Sequence, residues 1–335
     1  MQFQLATLRD GDDSTFAAVV VGDRAIRLAD VKSAAAHLGP TLRSRGDDIC
    51  DLFVHWDHDF PILQRTTTRF GSDARLIASM PLQQLEPCAP FVPRQTFCAV
   101  NNYRSHLIRN ERNASGGLEL SAGEQQAQEE RMLAQRLEGA PYMCFKLPST
   151  IAGPNDELSI PSGATRVDWE LELGVIIARA CRKVSRAQAM DYVAGYVIAN
   201  DITARDAVFR KDVPKLGADW LQSKNAPGFL PFGPFVVPAA YVDDPYALRL
   251  TLKLNGDVMQ DEWVADMLFD VASQIEYASR HAALLPGDVI CTGTPAGCGI
   301  HVGRFLTPGD LIEATITGLG TQRTRVVQDA AEERT

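Results

Sequence analysis

The segment Asp168-Trp169-Glu170-Leu171-Glu172-Leu173-Gly174-Val175-Ile176-Ile177 places acids at alternate positions. On a strand, alternate side chains share a face, so Asp168, Glu170 and Glu172 project together while Trp169, Leu171 and Leu173 project oppositely. Three parallel carboxylates repel, which is costly inside a large domain unless a cation sits among them or the face is fully wetted. Further along, Ile198-Ala199-Asn200-Asp201-Ile202-Thr203 ends an apolar strand with another acid. Glu170, Glu172 and Asp201 then form an oxygen-only donor set with no His or Cys nearby in sequence, which suits Mg2+, Mn2+ or Ca2+ and not zinc. An amphipathic edge strand with a wet acidic face is the alternative reading of the same alternation.

These acids need strands to carry them, and the text from Thr96 onward supplies short β-branched runs: Phe97 to Val100, Trp169 to Ile177, Val193 to Ala199, Phe235 to Pro238, Leu248 to Leu254, Val289 to Thr292 and Leu311 to Thr317. Turn signals such as Asn255-Gly256-Asp257, Pro286-Gly287-Asp288 and Pro308-Gly309-Asp310 separate them. The pattern predicts an α+β, β-rich fold built as a roll or sandwich. Two helices stand out: one from the capping box Ser121/Glu124 to Leu137, closed by Gly139, and one over Asp266 to Ala283, stopping before Pro286. Residues 1–90 read as a small α+β unit, with strands at Phe3 to Leu8, Phe16 to Val21 and Ala25 to Leu28 and a helix around Val31 to Leu38. Pro81, Pro87, Pro90 and Pro93 mark a connector into a second domain, 91–335.

Composition narrows the partners. Of 335 residues, 33 are Lys or Arg and 42 Asp or Glu, a formal net charge of −9. Polyanion and anionic-membrane partners need a basic excess, so nucleic acid is excluded, while a small anionic substrate is not. No apolar run is long enough to span a membrane, and the first thirty residues lack a leader pattern, so the expectation is a cytoplasmic protein. The 7 cysteines are odd in number and scattered, without a CxxC pair, which indicates neither a disulfide framework nor a structural zinc site. The sequon at Asn113 has no consequence in that compartment.

In order along the chain, the motifs resemble those of the fumarylacetoacetate hydrolase superfamily. The matching text is Asn102-Tyr103-Arg104-Ser105-His106, Phe145-Lys146-Leu147-Pro148-Ser149, Asp168-Trp169-Glu170-Leu171-Glu172-Leu173, Gly195-Tyr196 to Asn200-Asp201-Ile202-Thr203-Ala204-Arg205-Asp206, Lys224 with Gly233-Pro234, Asn255-Gly256, Pro286-Gly287-Asp288 and Gly293-Thr294-Pro295-Ala296-Gly297-Cys298-Gly299. The resemblance covers about residues 95 to 325. It implies a mixed β-sandwich roll, a homodimer, and Mg2+ or Mn2+ held by Glu170, Glu172 and Asp201, the trio that the strand argument selects.

It also implies roles. Family members cleave C–C bonds of 2-oxo acids bearing a further oxo group. Lys224 matches the lysine that reaches the substrate, and Arg205 fits a bidentate clamp, with an ion pair to Asp206 or Glu172 as its alternative role. Lys146 adds positive potential at the mouth or anchors the lid. Tyr103 and Thr294 are assigned to substrate binding, Thr294 within a Gly-rich turn whose N–H groups could receive a carboxylate. His106 is the general-base candidate, because imidazole titrates near neutrality. Relatives carry Glu three residues later to orient it; here that position is Arg109, so Glu111 or another acid of 107–140 takes the role. The same segment reads as a helical lid. Val208 replaces a frequent glutamine and implies a less polar substrate tail.

The resulting expectation is a metal-dependent hydrolase of an acylpyruvate-type 2,4-dioxo acid, in aromatic or sugar-acid catabolism. An oxaloacetate decarboxylase or tautomerase, a 2-keto-3-deoxy sugar acid dehydratase, and a catalytically silent oxo-acid-binding relative are the alternatives.

Overall fold

The computed structural model describes residues 1–11, 14–72, 77–114 and 121–329. The N-terminal part contains β1 (Gln4–Arg9), β2 (Thr15–Val21), β3 (Arg24–Arg27), α1 (Leu28–His37), α2 (Ile49–Val54), α3 (Trp56–Ser72), β4 (Met80–Pro81) and β5 (Glu86–Pro87). Its strands form one antiparallel sheet in the order β4-β3-β2-β1-β5. The proline-marked connector thus contributes both edge strands, where a missing N–H costs no ladder bond.

Then follow β6 (Thr96–Ala99), α4 (Arg104–Ala114), α5 (Ala122–Leu137), β7 (Met143–Lys146), β8 (Ile151–Ala152), β9 (Leu158–Ile160), β10 (Val167–Asp168), β11 (Leu171–Ile177), α6 (Arg186–Ala189), β12 (Val193–Asn200), β13 (Thr203–Ala204) and α7 (Trp220–Lys224). The chain continues through β14 (Leu230–Pro231), β15 (Val237–Pro238), β16 (Arg249–Leu254), β17 (Asp257–Trp263), α8 (Val271–His281), β18 (Val289–Cys291), α9 (Gly299–Val302), β19 (Leu311–Ile316) and β20 (Gly320–Gln328). A six-stranded sheet, β15-β12-β11-β18-β6-β7, faces a five-stranded sheet, β17-β16-β19-β20-β9.

Between these sheets, Leu171, Leu173, Val175 and Ile177 of β11 meet Leu250, Leu252, Ile312 and Ile316. On the other face of β11, Ile176 joins Phe3, Phe53, Trp56 and Phe91 of the N-terminal part in a second core. Both faces of the carboxylate strand are therefore covered, which removes the wet-edge reading. The period-2 alternation holds, but it sorts one core from another rather than core from water. Gly174 is required on the acid-bearing face, because a Cβ there would sit 2.7 Å from Val197 Cγ1.

Helix α5 begins at the capping box, where Ser121 Oγ accepts from Glu124 N and the Glu124 carboxylate accepts from Ser121 N. Helix α8 starts later than the periodicity predicts, because Asp270 caps it by accepting from Ser273 N at 2.7 Å while 264–266 form a separate 3-10 turn. In the expected lid, 115–120 lie outside the described residues. Helix α5 buries no side chain and meets α4 through Arg112–Glu129 and Gln128–Glu111. Among the described residues no helix is long and apolar enough to cross a membrane.

Candidate active site

Antiparallel pairing of β11 with β12, Leu171 opposite Asn200, brings the two acid-bearing segments together. The Asn200 side chain accepts from Glu170 N at 2.9 Å, and Asp201 N donates to the Glu170 carbonyl at 2.8 Å, so the turn after β12 is tied to the start of β11. One carboxylate oxygen from each of Glu170, Glu172 and Asp201 lies within 4.8 Å of the others, and all three residues are buried.

Cations answer two of these acids. Lys224, in α7, donates to Glu170 Oε2 at 2.9 Å, Asp201 Oδ2 at 2.5 Å and Thr203 Oγ1 at 3.0 Å. Burial works against its charge, but Asp201 and Glu170 outweigh that and hold its pKa well above the ordinary value. Glu170 is likewise driven low: burial favours its neutral form, but Arg205, Lys224 and His106 prevail. Glu172 is left exposed to repulsion. Its Oε2 accepts from Gly293 N at 2.8 Å, and burial with Asp201 and Glu170 alongside pushes its pKa well up. A buried, oxygen-only trio in which Glu172 makes no ion pair among the described residues and is repelled by Asp201 and Glu170 is chemically fitted to a divalent cation, which would discharge that repulsion.

Several expected residues sit differently. Arg205 pairs with neither Asp206 nor Glu172: its Nε donates to Asp168 Oδ2 at 2.8 Å and its Nη2 to Glu170 Oε1 at 2.5 Å. Asp206 instead accepts from Thr165 N at 2.7 Å. Lys146 is neither at a mouth nor on a lid. It is buried behind the acids, 3.0 Å from Asp201 Oδ1, and donates to the Ile202 and Phe229 carbonyls. Tyr103 is fully buried in the core between the sheets and outside the cavity, because α4 begins just after it and carries the chain outward.

His106 lies on α4, buried, with Nδ1 3.8 Å from Cys298 Sγ. Burial lowers its pKa to about 4, partly opposed by Glu170. Glu111 does not take the orienting place. Five positions on, about 140° around a helix, its Oε1 accepts from Gln128 at 3.0 Å. The His106 ring instead faces the Pro295 carbonyl and packs edge-on against His301, with centroids 4.7 Å apart.

The Gly-rich turn spends its N–H groups inside the protein: Gly293 N on Glu172, Gly297 N on His301 Nδ1 and Gly299 N on Asp168. Thr294 Oγ1 donates to the Leu171 carbonyl at 2.9 Å and accepts from Gln260 at 2.9 Å, bracing the turn against β11. Gly297 permits this approach, since at φ +103° a Cβ would lie 1.9 Å from the Met259 carbonyl oxygen.

A cavity of about 340 Å³ joins His106, Glu170, Glu172, Arg205, Lys224 and Thr294. Its remaining wall includes Val208, Phe209, Trp220 and Ile300. Asp168, His301 and Asn110 escape the sequence motifs as functional residues. Asp168 stands in the acid alternation, but its partners Arg205, Gly299 and Ile300 come much later in the chain.

Comparison with known proteins agrees with this geometry. Residues 95–327 match the fumarylacetoacetate (FAA) hydrolase C-terminal family. Over 191 residues, 56% of this chain, the sequence is 41% identical to the 2,4-didehydro-3-deoxy-L-rhamnonate hydrolase of Sphingomonas sp. (strain SKA58); the match spans 65% of that enzyme's length. Maleylpyruvate hydrolase from Sphingobium sp. SYK-6, solved with manganese(II) and pyruvate, superposes with a TM-score of 0.68 at 26% identity, covering 97% of this chain and 99% of that one. A 2-hydroxyhepta-2,4-diene-1,7-dioate isomerase from Mycobacterium marinum gives 0.65 at 26% identity, with 98% and 99% covered. The motif order, the sandwich and the matched region agree, and the chain belongs to the fumarylacetoacetate hydrolase family.

Proposed function

We propose that the chain is a divalent-metal-dependent hydrolase that cleaves a C–C bond in an acylpyruvate-type 2,4-dioxo acid. The observation that carries this reading is the buried Glu170/Glu172/Asp201 trio, of which Glu170 and Glu172 line a cavity that also holds His106, Arg205 and Lys224. The manganese(II) and pyruvate complex of the maleylpyruvate hydrolase supports the metal and the pyruvyl half, and the rhamnonate relative supports a sugar-acid or related catabolic setting.

Bound by Glu170, Glu172 and Asp201, Mg2+ or Mn2+ would supply a Lewis acid for the carboxylate and 2-oxo oxygens of the substrate, with Ca2+ a further oxygen-seeking candidate. His106 stays neutral at physiological pH and is free to accept a proton. With Nδ1 turned to Cys298, that role falls to Nε2. The proton comes from water, whose hydroxyl adds to the acyl carbonyl carbon. The C3–C4 bond then breaks, its electron pair passes into the pyruvate enolate, and a proton returns to C3, giving pyruvate and a carboxylic acid. Lys224 and Arg205 place positive charge beside the developing enolate. Val208, Phe209, Trp220 and Ile300 fit an alkyl or aryl acyl arm.

The test is purified protein with Mg2+ and a panel of acylpyruvates, read by pyruvate release; no turnover across the panel overturns the reading. One observation favours a second reading: His106 faces a thiol and a carbonyl rather than an acid. That suits proton shuffling by an oxaloacetate decarboxylase or tautomerase, or a sugar-acid dehydratase, which the same panel extended to those acids separates by product. A cytoplasmic setting is supported by the neighbouring Cys98, Cys144 and Cys291, which lie on paired strands without a disulfide between them.

A further inference from the structure

Beside the acid trio lies a second cluster, in which one donor atom each of His106, Cys298 and His301 falls within 4.8 Å of the others. By donor type this is a zinc set. The hydrogen bonds decide against it. Gly297 N donates to His301 Nδ1 at 3.0 Å, which spends that lone pair. The proton of His301 must then sit on Nε2, which lies 3.0 Å from Asn110 Oδ1. The amide orientation agrees, since Asn110 Nδ2 donates to Asn101 Oδ1 at 3.2 Å. His301 is therefore held neutral in one tautomer, with no ligand atom to offer. Burial, the neighbouring His106 ring and the Arg205 and Arg109 charges lower its pKa to about 3, in the same direction.

The contacts of this ring lead to His106. Asn110 follows His106 by four residues on α4, so both face the same neighbour. That neighbour is α9, to which Asn113 Nδ2 also donates, at the Ile300 and His301 carbonyls, 3.4 Å each. The His301 ring packs at 64° against that of His106, whose Nδ1 lies 3.8 Å from Cys298 Sγ. We infer that His301 is a positioning residue: bridged between Gly297 and Asn110, it docks α4 on α9 and fixes the orientation of the His106 ring, the task the sequence pattern assigned to an acid. This rests on the reading of His106 as the base.

The test compares wild type with His301→Leu, which removes both bonds, and His301→Gln, which keeps a donor toward Asn110. Turnover of an acylpyruvate, Mn2+ affinity by calorimetry and thermal midpoint are measured together. The expected result is kcat lower by about 10- to 100-fold in His301→Leu, with KM, Mn2+ affinity and midpoint nearly unchanged, and partial recovery in His301→Gln. A kcat within twofold of wild type, or a loss that merely follows stability, overturns the inference.

Nuclear magnetic resonance on histidine-labelled protein separates this from failure of the parent reading. His301 should show the Nε2–H tautomer, and the His106 ring signals should shift in His301→Leu. An Nδ1–H tautomer, unchanged His106 signals, or one equivalent of Zn2+ bound by wild type and lost in His301→Leu would overturn it. Activity surviving in His106→Ala would instead overturn the base assignment and leave the resonance result to judge the positioning.

Discussion

Lys224 Nζ lies 2.5 Å from Asp201 Oδ2, and both side chains are closed off from solvent. A second oxygen of the cluster, Glu170 Oε2, is 2.9 Å from the same nitrogen. The ammonium is thus a partial substitute for the charge that the acids call for, and it is placed where an enolate would form beside them.

Replacing it separates these roles. Lys224→Met removes the cation shared by Glu170 and Asp201 and leaves Glu170 to Arg205 and Asp201 to Lys146, a loss of up to about 3–5 kcal/mol in metal-free protein. Added Mn2+ should recover most of the lost thermal midpoint, because binding to the folded state alone stabilises it. Turnover should remain down by about 10²- to 10³-fold even at saturating Mn2+. A variant equally unstable with and without Mn2+ would count against a shared site.

Glu172 tests the metal from the other side. Glu172→Gln replaces a carboxyl that burial and the neighbouring Asp201 and Glu170 already push toward its neutral form, so metal-free stability should hold or rise, while Mn2+ affinity falls at least about tenfold. Calorimetric titration beside a melting curve reads both. In the wild type, dialysis against EDTA should abolish turnover and Mg2+ or Mn2+ should restore it; full activity without metal would reject the ligand assignment.

On the proposed reading Val208 faces the acyl arm. Val208→Arg adds a further guanidinium to a cavity lined by Phe209, Trp220 and Ile300 together with Arg166. Values of kcat/KM should fall for alkyl and aryl acylpyruvates and rise for those with a terminal carboxylate, moving the ratio by about 10- to 100-fold. An unchanged ratio would place the arm elsewhere.

Asp59 gives a pH prediction far from the site. Burial favours its neutral form, but hydrogen bonds from His58, Arg43 N and Ser44 N outweigh that and lower its pKa. A lowered folded-state pKa contributes stability that is complete above the unfolded value, about 3.9, and is lost as pH falls through the folded value. Asp59→Asn should therefore melt lower at pH 7, by about 1–3 kcal/mol, with the gap closing below about pH 4. A constant gap from pH 7 to pH 3 would contradict this.

Association is the last prediction. Edge strand β7 and the neighbouring α7 expose Phe145, Leu147 and Leu221, at 56%, 46% and 68% of their full areas, which suits a second copy of the chain. Sedimentation should show a homodimer in the wild type and monomer in Phe145→Glu/Leu221→Glu. A monomeric wild type would end that proposal.

The acids were legible because strand periodicity is local: Glu170 and Glu172 sit two apart, and Asp201 closes the next strand of the same sheet. The capping box at Ser121 was legible for the same reason. Arg205 was readable as a cation at the site but not in its pairing, because Asp168 stands 37 positions before it. From sequence, Lys146 reads as a charge at the mouth or an anchor for the lid, because the Ile202 and Phe229 carbonyls that accept from its ammonium lie far along the chain. Tyr103 and Glu111 were placed by their nearness to His106 in the chain, and helix geometry turned one into the core and the other toward α5. His301 gave no local signal at all; its meaning lies in Asn110, 191 positions away.

Strand order has a further consequence, for the timing of assembly on the ribosome. In the sheet β15-β12-β11-β18-β6-β7, β18 stands between β11 and β6 and pairs with both. A nascent chain that has not yet emerged beyond Val289–Cys291 holds that sheet in two unconnected halves. Glu172 still awaits its donor Gly293, 121 positions later, and Asp168 awaits Gly299, 131 positions later. The N-terminal sheet has all its strands by Pro87. The pocket is thus completed only when the segment 289–299 joins the sheet, and a chain released before it would carry its acids on an unfinished sheet.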